Sequence, residues 1–302
     1  MSASKKPGAS APATTPQKEM DTALVLAEAL PYIQKFRGAT IVVKMGGNAM
    51  VDEQLTATLA TDVVLLHSVG IRVVVVHGGG PQIDQLMSRL GVESEFKNGL
   101  RVTNEETLDI ARMVLVGQVN REIVSAINVH GQLAVGVSGE DAGLIEASAL
   151  DPELGFVGDV DKVHPRILNS LLDQGFIPVV STIGVGIDGQ AYNINADTVA
   201  GAIAGALGAQ KAVYLTDIAG ILRDIDDPTS LIGEVTPSQL NQLKDDGVLS
   251  GGMIPKVEAC LVAIKHGVPA VHLLDGRIPH VLLLELFTTA GVGTMITKDS
   301  HE

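Results

Sequence analysis

The stretch VVVVHGGGP, Val73 to Pro81, runs four β-branched residues into a histidine, three consecutive glycines and a proline. Four valines in a row read as a strand buried on both faces. A glycine turn with proline opening the next helix is the strand–turn–helix unit of an open α/β sheet, where ligands bind at the ends of the strands. Glycine lets backbone N–H groups approach an anion closely, and the helix that follows adds the positive end of its dipole. One glycine suffices for a tight turn. Three in succession point to a ligand.

The same alternation recurs along the chain. Strands are predicted at 40–45, 71–77, 132–137, 176–183, 211–216 and 269–274, and helices near 53–69, 82–90, 104–129, 166–174, 197–207, 237–246, 255–266 and 279–289. Such alternation predicts an α/β fold with a mainly parallel sheet and helices on both faces. Thr103-Asn104-Glu105-Glu106 and Thr236-Pro237-Ser238-Gln239 both fit capping boxes. With no internal repeat and no flexible linker, two lobes sharing one sheet are expected, over 37–192 and 193–302.

Composition agrees. Of 302 residues, 46% are hydrophobic but only 3% aromatic, and tryptophan is absent, so the core must be packed from Val, Ile, Leu and Ala. The net charge of −14, with no basic stripe, excludes a nucleic-acid binder. Cys260 is the only cysteine and lies in the apolar run VEACLVAI, which reads as a buried inert thiol. That rules out an intramolecular disulfide framework and a cysteine metal site, and histidine zinc spacings are also absent. No apolar stretch reaches membrane-spanning length, and a cytoplasmic protein is expected. Residues 1–18 lack acidic residues and read as a disordered tail. Residues 19–36 read as an amphipathic helix kinked at Pro31, a covering helix or one that packs on another subunit.

An acidic chain that handles an anion must concentrate its few cations. IVVKMGG places Lys44 at a strand end, just before Gly46 and Gly47. LSGGMIPKVEA places Gly251 and Gly252 ahead of a helix whose first turn holds Lys256. A cation opposes the macrodipole there, and a bound anion would offset the mismatch. In NINADTVAGAIAGALGA, Asn195 or Asp197 would cap a small-residue helix, and the carboxylate could equally orient the lysines. GVGIDG (184–189) matches a dinucleotide string, but Asp188-Gly189 signals a hairpin and no helix follows at once, so it reads as a false positive. No Walker-type loop and no GxSxG elbow occurs.

Taken in order, KMGG (44–47), HGGGP (77–81), NGLRVT (98–103), NINAD (193–197), LTDIAGIL (215–222) and SGGMIPK (250–256) resemble the amino-acid kinase superfamily, and within it the N-acetyl-L-glutamate kinases. The resemblance covers nearly the whole chain after the N-terminal helix; the aminoadipate branch carries similar motifs. It implies an open three-layer αβα sandwich with the amino-acid substrate in the first lobe and ATP in the second. It implies transfer of a phosphoryl group from ATP to the γ-carboxylate of N-acetyl-L-glutamate, in arginine biosynthesis. Such an acceptor is ionised at neutral pH, far above roughly 4.3, so no general base is required. By resemblance, Lys44 and Lys256 stabilise the transferring phosphoryl group and Asp197 holds both lysines. Gly79, Gly80, Arg101 and Asn193 contact the amino-acid substrate. Gly46, Gly47, Asp217, Gly220, Leu222 and Ser250 serve the phosphoryl group and nucleotide. Mg²⁺ rides on the ATP phosphates, with no metal ligand assigned to the protein. Arginine-inhibited members carry an extra kinked N-terminal helix that interlaces dimers into a hexamer, and a C-terminal arginine site with which His272 and Glu285 align. A strand histidine satisfied in the core is the plainer account of His272.

Rival readings remain within and outside this class. Aspartate, free glutamate or a carrier-linked aminoadipate could be the acceptor, and a panel of acceptors separates them. A non-turnover sensor would be expected to have lost its lysines, whereas Lys44 and Lys256 are present. A dehydrogenase rests on GVGIDG alone.

Overall fold

The computed structural model describes residues 16–46, 52–97, 99–249, 253–288 and 291–299. In chain order the elements are α1 (Gln17–Phe36), β1 (Thr40–Met45), α2 (Glu53–Ser68), β2 (Arg72–His77), α3 (Gly80–Leu90), β3 (Phe96–Lys97), β4 (Leu100–Arg101) and α4 (Glu105–Arg112). A π-helical segment (Met113–Val119) joins α4 to α5 (Asn120–Asn128). There follow β5 (Ala134–Ser138), β6 (Ile145–Ala149), β7 (Val157–Val163), α6 (Arg166–Asp173), β8 (Ile177–Ser181), β9 (Ile183–Val185), β10 (Ala191–Ile194), α7 (Ala196–Ala206) and β11 (Lys211–Thr216). The last are β12 (Glu234–Val235), α8 (Pro237–Asp245), α9 (Met253–Lys265), β13 (Ala270–Asp275), α10 (Val281–Phe287) and β14 (Thr294–Thr297).

Eight strands form one sheet in the order β12-β14-β13-β11-β1-β2-β8-β5. The six from β13 to β5 are parallel to their neighbours, and only the β13–β14 pairing is antiparallel. Strand β1 pairs with β2 on one side and β11 on the other, so the sheet is continuous across the two expected lobes. Successive side chains alternate between faces. Val43, Val73 and Val75 pack with α2, α3, α4, α5 and α10, whereas Val42, Val74 and Val76 pack with α6, α7, α8 and α9. Two apolar layers on one buried sheet explain the β-branched, aromatic-poor composition. The small residues of α7 let it lie close to its neighbours: a Cβ on Gly201 would sit 3.1 Å from the Tyr214 hydroxyl.

A smaller sheet closes on itself in the order β10-β7-β6-β9, and β3 and β4 form a hairpin. Neither was expected. The predicted strand over 176–183 breaks at Thr182, where the chain leaves the large sheet as β8 and enters the small one as β9. The Asp188-Gly189 turn joins β9 to β10 with Gly189 at φ +85°, which confirms the hairpin reading of GVGIDG. The cap of α4 is Asn104, whose side chain accepts from the Thr107 N–H, rather than Thr103; Thr236 forms the capping box expected of α8. Helix α1 starts at Gln17, so the expected tail ends earlier than residue 18, and it continues past Pro31. Residues 1–15 lie outside the described residues.

Candidate active site

A cleft of about 280 Å³ opens where β1 and β2 end. The parallel register sets Lys44 beside Val76 and Met45 beside His77, so the lysine and the glycine turn reach the same edge of the sheet. Gly78, Gly79 and Gly80 line the cleft. The glycines of the turn differ in what a side chain would meet. A Cβ on Gly79 would stand 2.7 Å from Leu115 Cδ2 and 3.3 Å from Val119 Cγ2, so the π-helical segment packs against bare backbone. A Cβ on Gly80 would meet nothing within 4 Å. Gly80 is also absent from the left-handed glycines, so neither packing nor backbone conformation demands it. It leaves the cleft open at the N-terminus of α3, where helix N–H groups favour an anion.

Lys44 is 8% exposed, and its Nζ lies 2.7 Å from Asp197 Oδ1. The lysine bends over Gly46, where a Cβ would collide with Nζ. The two candidate caps of α7 divide their tasks. Asn195 is the cap, accepting from the N–H groups of Asp197 (2.8 Å) and Thr198 (3.4 Å), which releases the Asp197 carboxylate to Lys44. Tyr214, the neighbour of Lys44 on β11, donates its hydroxyl to the Asp197 carbonyl at 3.2 Å.

Across the cleft, Arg101 is 8% exposed at the end of β4. Its Nη1 and Nη2 donate to the two oxygens of Asp84 at 2.6 and 2.9 Å, and Nη1 also donates to Ser94 Oγ at 2.7 Å. The guanidinium lies 4.6 Å from the centre of the Phe96 ring. The Arg101 hydrogen bonds hold the Asp84 carboxyl below the usual carboxylate range. Asn193 Nδ2 donates to Thr103 Oγ1 (3.4 Å), which donates to the Arg101 carbonyl (2.9 Å), so two expected substrate contacts share one scaffold. Asp84, Ser94 and Phe96 were missed in the sequence. The Asn98-Gly99 hairpin signal offers Phe96, which faces Arg101 across the β3–β4 ladder.

Lys256 stands apart from this cluster. Its Nζ is 3.3 Å from Asp217 Oδ1, and its ion pair is with that residue, so Asp197 does not bridge both lysines as expected. The cause is local: Asp217 follows the end of β11 and faces the first turn of α9. Burial, the largest single influence, would raise the Asp217 carboxyl, but the Lys256 charge and hydrogen bond, a backbone hydrogen bond and the Arg277 charge together hold the group low. Gly220 has φ +137°, and a Cβ there would stand 2.7 Å from Thr294 Oγ1, so that glycine is required by its turn. Leu222 bridges to Leu231. Gly47 and Ser250 lie outside the described residues.

His272 and Glu285 meet elsewhere, at β13 and α10. His272 Nδ1 lies 2.7 Å from Glu285 Oε1, and Lys211 Nζ lies 2.6 Å from His272 Nε2. Burial pushes the His272 imidazole down, so Nδ1 carries the proton to Glu285 and Nε2 accepts from Lys211. Burial also pushes Lys211 down to about 8. The Lys211 ammonium lies 5.4 Å from the ring of Phe36, the last residue of α1, which ties the N-terminal helix to this cluster. Among the described residues no three His, Cys, Asp or Glu side chains are grouped to hold a metal, and no helix is long and apolar enough to cross a membrane.

The sequence profile of the amino acid kinase family matches residues 39–275, and the chain belongs to that family. Within it the chain falls among the acetylglutamate kinases. It is 53% identical to that of Desulfitobacterium hafniense (strain DSM 10664 / DCB-2), over 92% of this chain and 97% of the relative. It is 54% identical to that of Thermosynechococcus vestitus (strain NIES-2133 / IAM M-273 / BP-1), over 92% and 95%. Among solved structures, N-acetylglutamate synthase from Neisseria gonorrhoeae, complexed with coenzyme A and N-acetyl-glutamate, superposes with a TM-score of 0.81 at 28% identity. The match covers 92% of this chain and 64% of the synthase. A second complex of that synthase holds coenzyme A and L-arginine, with a TM-score of 0.76 at the same identity, covering 92% of this chain and 65% of the synthase.

Proposed function

We infer that this chain transfers the γ-phosphoryl group of ATP to the γ-carboxylate of N-acetyl-L-glutamate, giving ADP and an acyl phosphate in arginine biosynthesis. The observation that carries the reading is the cleft itself. A buried lysine held by a carboxylate faces an arginine and an open glycine turn at the ends of two parallel strands. Two anions must meet there, and positioning with positive charge is what the reaction requires.

In this reading the first lobe binds the amino acid and the second the nucleotide. Arg101, fixed by Asp84, takes the α-carboxylate of the acceptor; Asn193 and the N–H groups of Gly79 and Gly80 complete its seat. Lys44, over Gly46, meets the transferring phosphoryl group from the acceptor side and Lys256 from the nucleotide side. Asp197 aims Lys44, and Asp217 aims Lys256. Gly47, Gly220, Leu222 and Ser250 complete the phosphate and nucleotide seat. The described carboxylates do not fit a resident metal, so Mg²⁺ enters on the ATP phosphates and no step is assigned to a protein-bound ion. The acceptor carboxylate attacks without a base, which agrees with a cleft in which Asp197, the acidic residue among the described lining, is paired to Lys44.

L-arginine is read as an inhibitor bound beside His272 and Glu285, where a guanidinium would find a buried carboxylate. Met20, Leu24, Val25, Leu26 and Leu30 are exposed on α1, which supports packing against other copies and a hexamer built as a trimer of dimers. The buried Cys260 thiol suits a reducing cytoplasm.

The test is trapping of acyl phosphate as hydroxamate with ATP, Mg²⁺ and an acceptor panel, with and without L-arginine. Signal with N-acetyl-L-glutamate, suppressed by arginine, is expected. Signal only with aminoadipate-type acceptors would reassign the substrate, and signal indifferent to arginine would remove the inhibitor.

A further inference from the structure

His77 opens the glycine turn, yet nothing in the reading above uses it. It is fully buried, and so is Asn120, the first residue of α5. Asn120 Nδ2 donates to the Val179 carbonyl at 2.8 Å, and its Oδ1 accepts from Arg121. Those two bonds fix which end of the amide faces the imidazole. It is Nδ2, a donor, 3.1 Å from His77 Nε2. Nε2 must therefore accept, and the ring proton sits on Nδ1, 2.9 Å from the Gly78 carbonyl oxygen.

That last bond has a consequence for the cleft. The Gly78–Gly79 peptide is trans, as are all the described peptide bonds, so its carbonyl and its N–H point in opposite directions. A carbonyl drawn inward to His77 turns the Gly79 N–H outward. Gly79 lines the cleft, and no described group accepts from its N–H. Glycine at 78 and 79 makes this peptide easy to rotate, because neither neighbour has a Cβ to resist. A flexible turn needs an external hold to present a donor in one direction.

We propose that His77 is a positioning residue for the acceptor: its Nδ1–H holds the Gly78 carbonyl and thereby aims the Gly79 N–H at the bound carboxylate. The role rests on the acceptor reading above. Burial pushes the imidazole down to about 4, so the ring stays neutral and keeps this single orientation at working pH. The relay runs from Arg121 through Asn120 and His77 to the glycine turn, and none of the three side chains needs to touch substrate.

Two near-isosteric variants of the full chain separate this role from simple burial. In H77N the amide nitrogen falls near the position of Nδ1 and keeps the donor to Gly78. In H77Q the amide oxygen takes the place of Nε2, still accepts from Asn120 Nδ2, and no donor is left for the Gly78 carbonyl. With the hydroxamate assay, H77Q is expected to raise the KM for N-acetyl-L-glutamate about tenfold, and H77N by less than about threefold, as one aimed hydrogen bond to a charged group implies. The KM for ATP stays near the wild-type value in both. Equal acceptor KM values in the two variants, or an equal rise for ATP, overturn the positioning role. Absence of wild-type turnover on N-acetyl-L-glutamate overturns the substrate reading and this role with it. Should neither variant fold, ¹⁵N histidine spectra of the wild type read the tautomer directly. The His77 ring should be neutral, slowly exchanging and protonated on Nδ1, and a His77 ring protonated on Nε2 overturns the proposal.

Discussion

Adjacent glycines in the HGGG turn should respond to the same methyl group in opposite ways. A Cβ at Gly79 would lie 2.7 Å from Leu115 Cδ2 and 3.3 Å from Val119 Cγ2. Those side chains are 2% and 1% exposed, so neither has room to retreat. Overpacking of this kind costs about 1–3 kcal/mol, and Gly79→Ala should be destabilised by that amount. A Cβ at Gly80 meets nothing within 4 Å, and its backbone suits alanine. Gly80→Ala should therefore keep or gain stability, by up to about 1 kcal/mol, through a less free unfolded chain. Its methyl projects toward a cleft of only about 280 Å³, where the acceptor is to sit. One misplaced methyl in a fitted site is worth about 10–200-fold, so its acceptor KM should rise at least about tenfold. Denaturant melts of both variants, with acceptor and ATP kinetics of G80A, make the test. A Gly80→Ala enzyme with full stability and an unchanged acceptor KM would refute the placement of substrate against this turn.

Other expectations follow from the ion pairs. Lys44→Ala should lower kcat about 10²–10³-fold with the fold intact by circular dichroism, as loss of one transition-state donor implies; a loss below tenfold would remove Lys44 from the phosphoryl path. Asp84→Asn should raise the acceptor KM about tenfold with little change in kcat, because the fork that orients Arg101 is broken while the arginine remains; an unchanged KM would show that Asp84 does not position it. Glu285→Gln should abolish inhibition by arginine with basal turnover retained, read in the hydroxamate assay with rising arginine. Lys211 sets a pH dependence of stability. Its folded pKa of about 8 lies below the ordinary 10.5, so between those values the unfolded chain holds a proton that the folded chain has lost. Stability then rises with pH through that window, and Lys211→Met should flatten the rise in urea melts from pH 8 to 10.

The six parallel strands from β13 to β5 were legible because they carry their own signal, whereas the short edge strands β12 and β14 were missed. Residues such as Val73 to Val76 are apolar on both faces, and only a buried parallel strand uses such a run. The small closed sheet gave no such signal. VGDVDKV in β7 contains glycine and two aspartates, which are depleted in strands, and it is ordered by partners distant in the chain. The break at Thr182 was hidden for a related reason: one apolar run serves two sheets, and the choice of partner is tertiary. In the site, Lys44 and Asp197 could be singled out because glycines and a helix start flank them. Asp84 carries no local mark. It sits mid-helix in α3, and only the fold of the β3–β4 hairpin brings Arg101 to it.

Each cation assigned to this site already has a carboxylate: Lys44 with Asp197, Arg101 with Asp84, Lys256 with Asp217. In a chain of net charge −14, this arrangement has an electrostatic logic. An unpaired buried cation is costly, and a flexible one loses rotamer freedom when a ligand arrives. A carboxylate beside each cation removes both penalties before binding. It does so without cancelling the directed donors that an anion requires, because the ammonium and guanidinium groups each have several N–H bonds. The exposures differ accordingly. Asp197 beside Lys44 is 17% exposed, whereas Asp84 and Asp217 are 46% and 47% exposed. The innermost pair is the least screened, so a change there should fall on turnover. Loss of the outer carboxylates should fall on the seating of acceptor and nucleotide, which is why Asp84→Asn is expected in KM and Lys44→Ala in kcat.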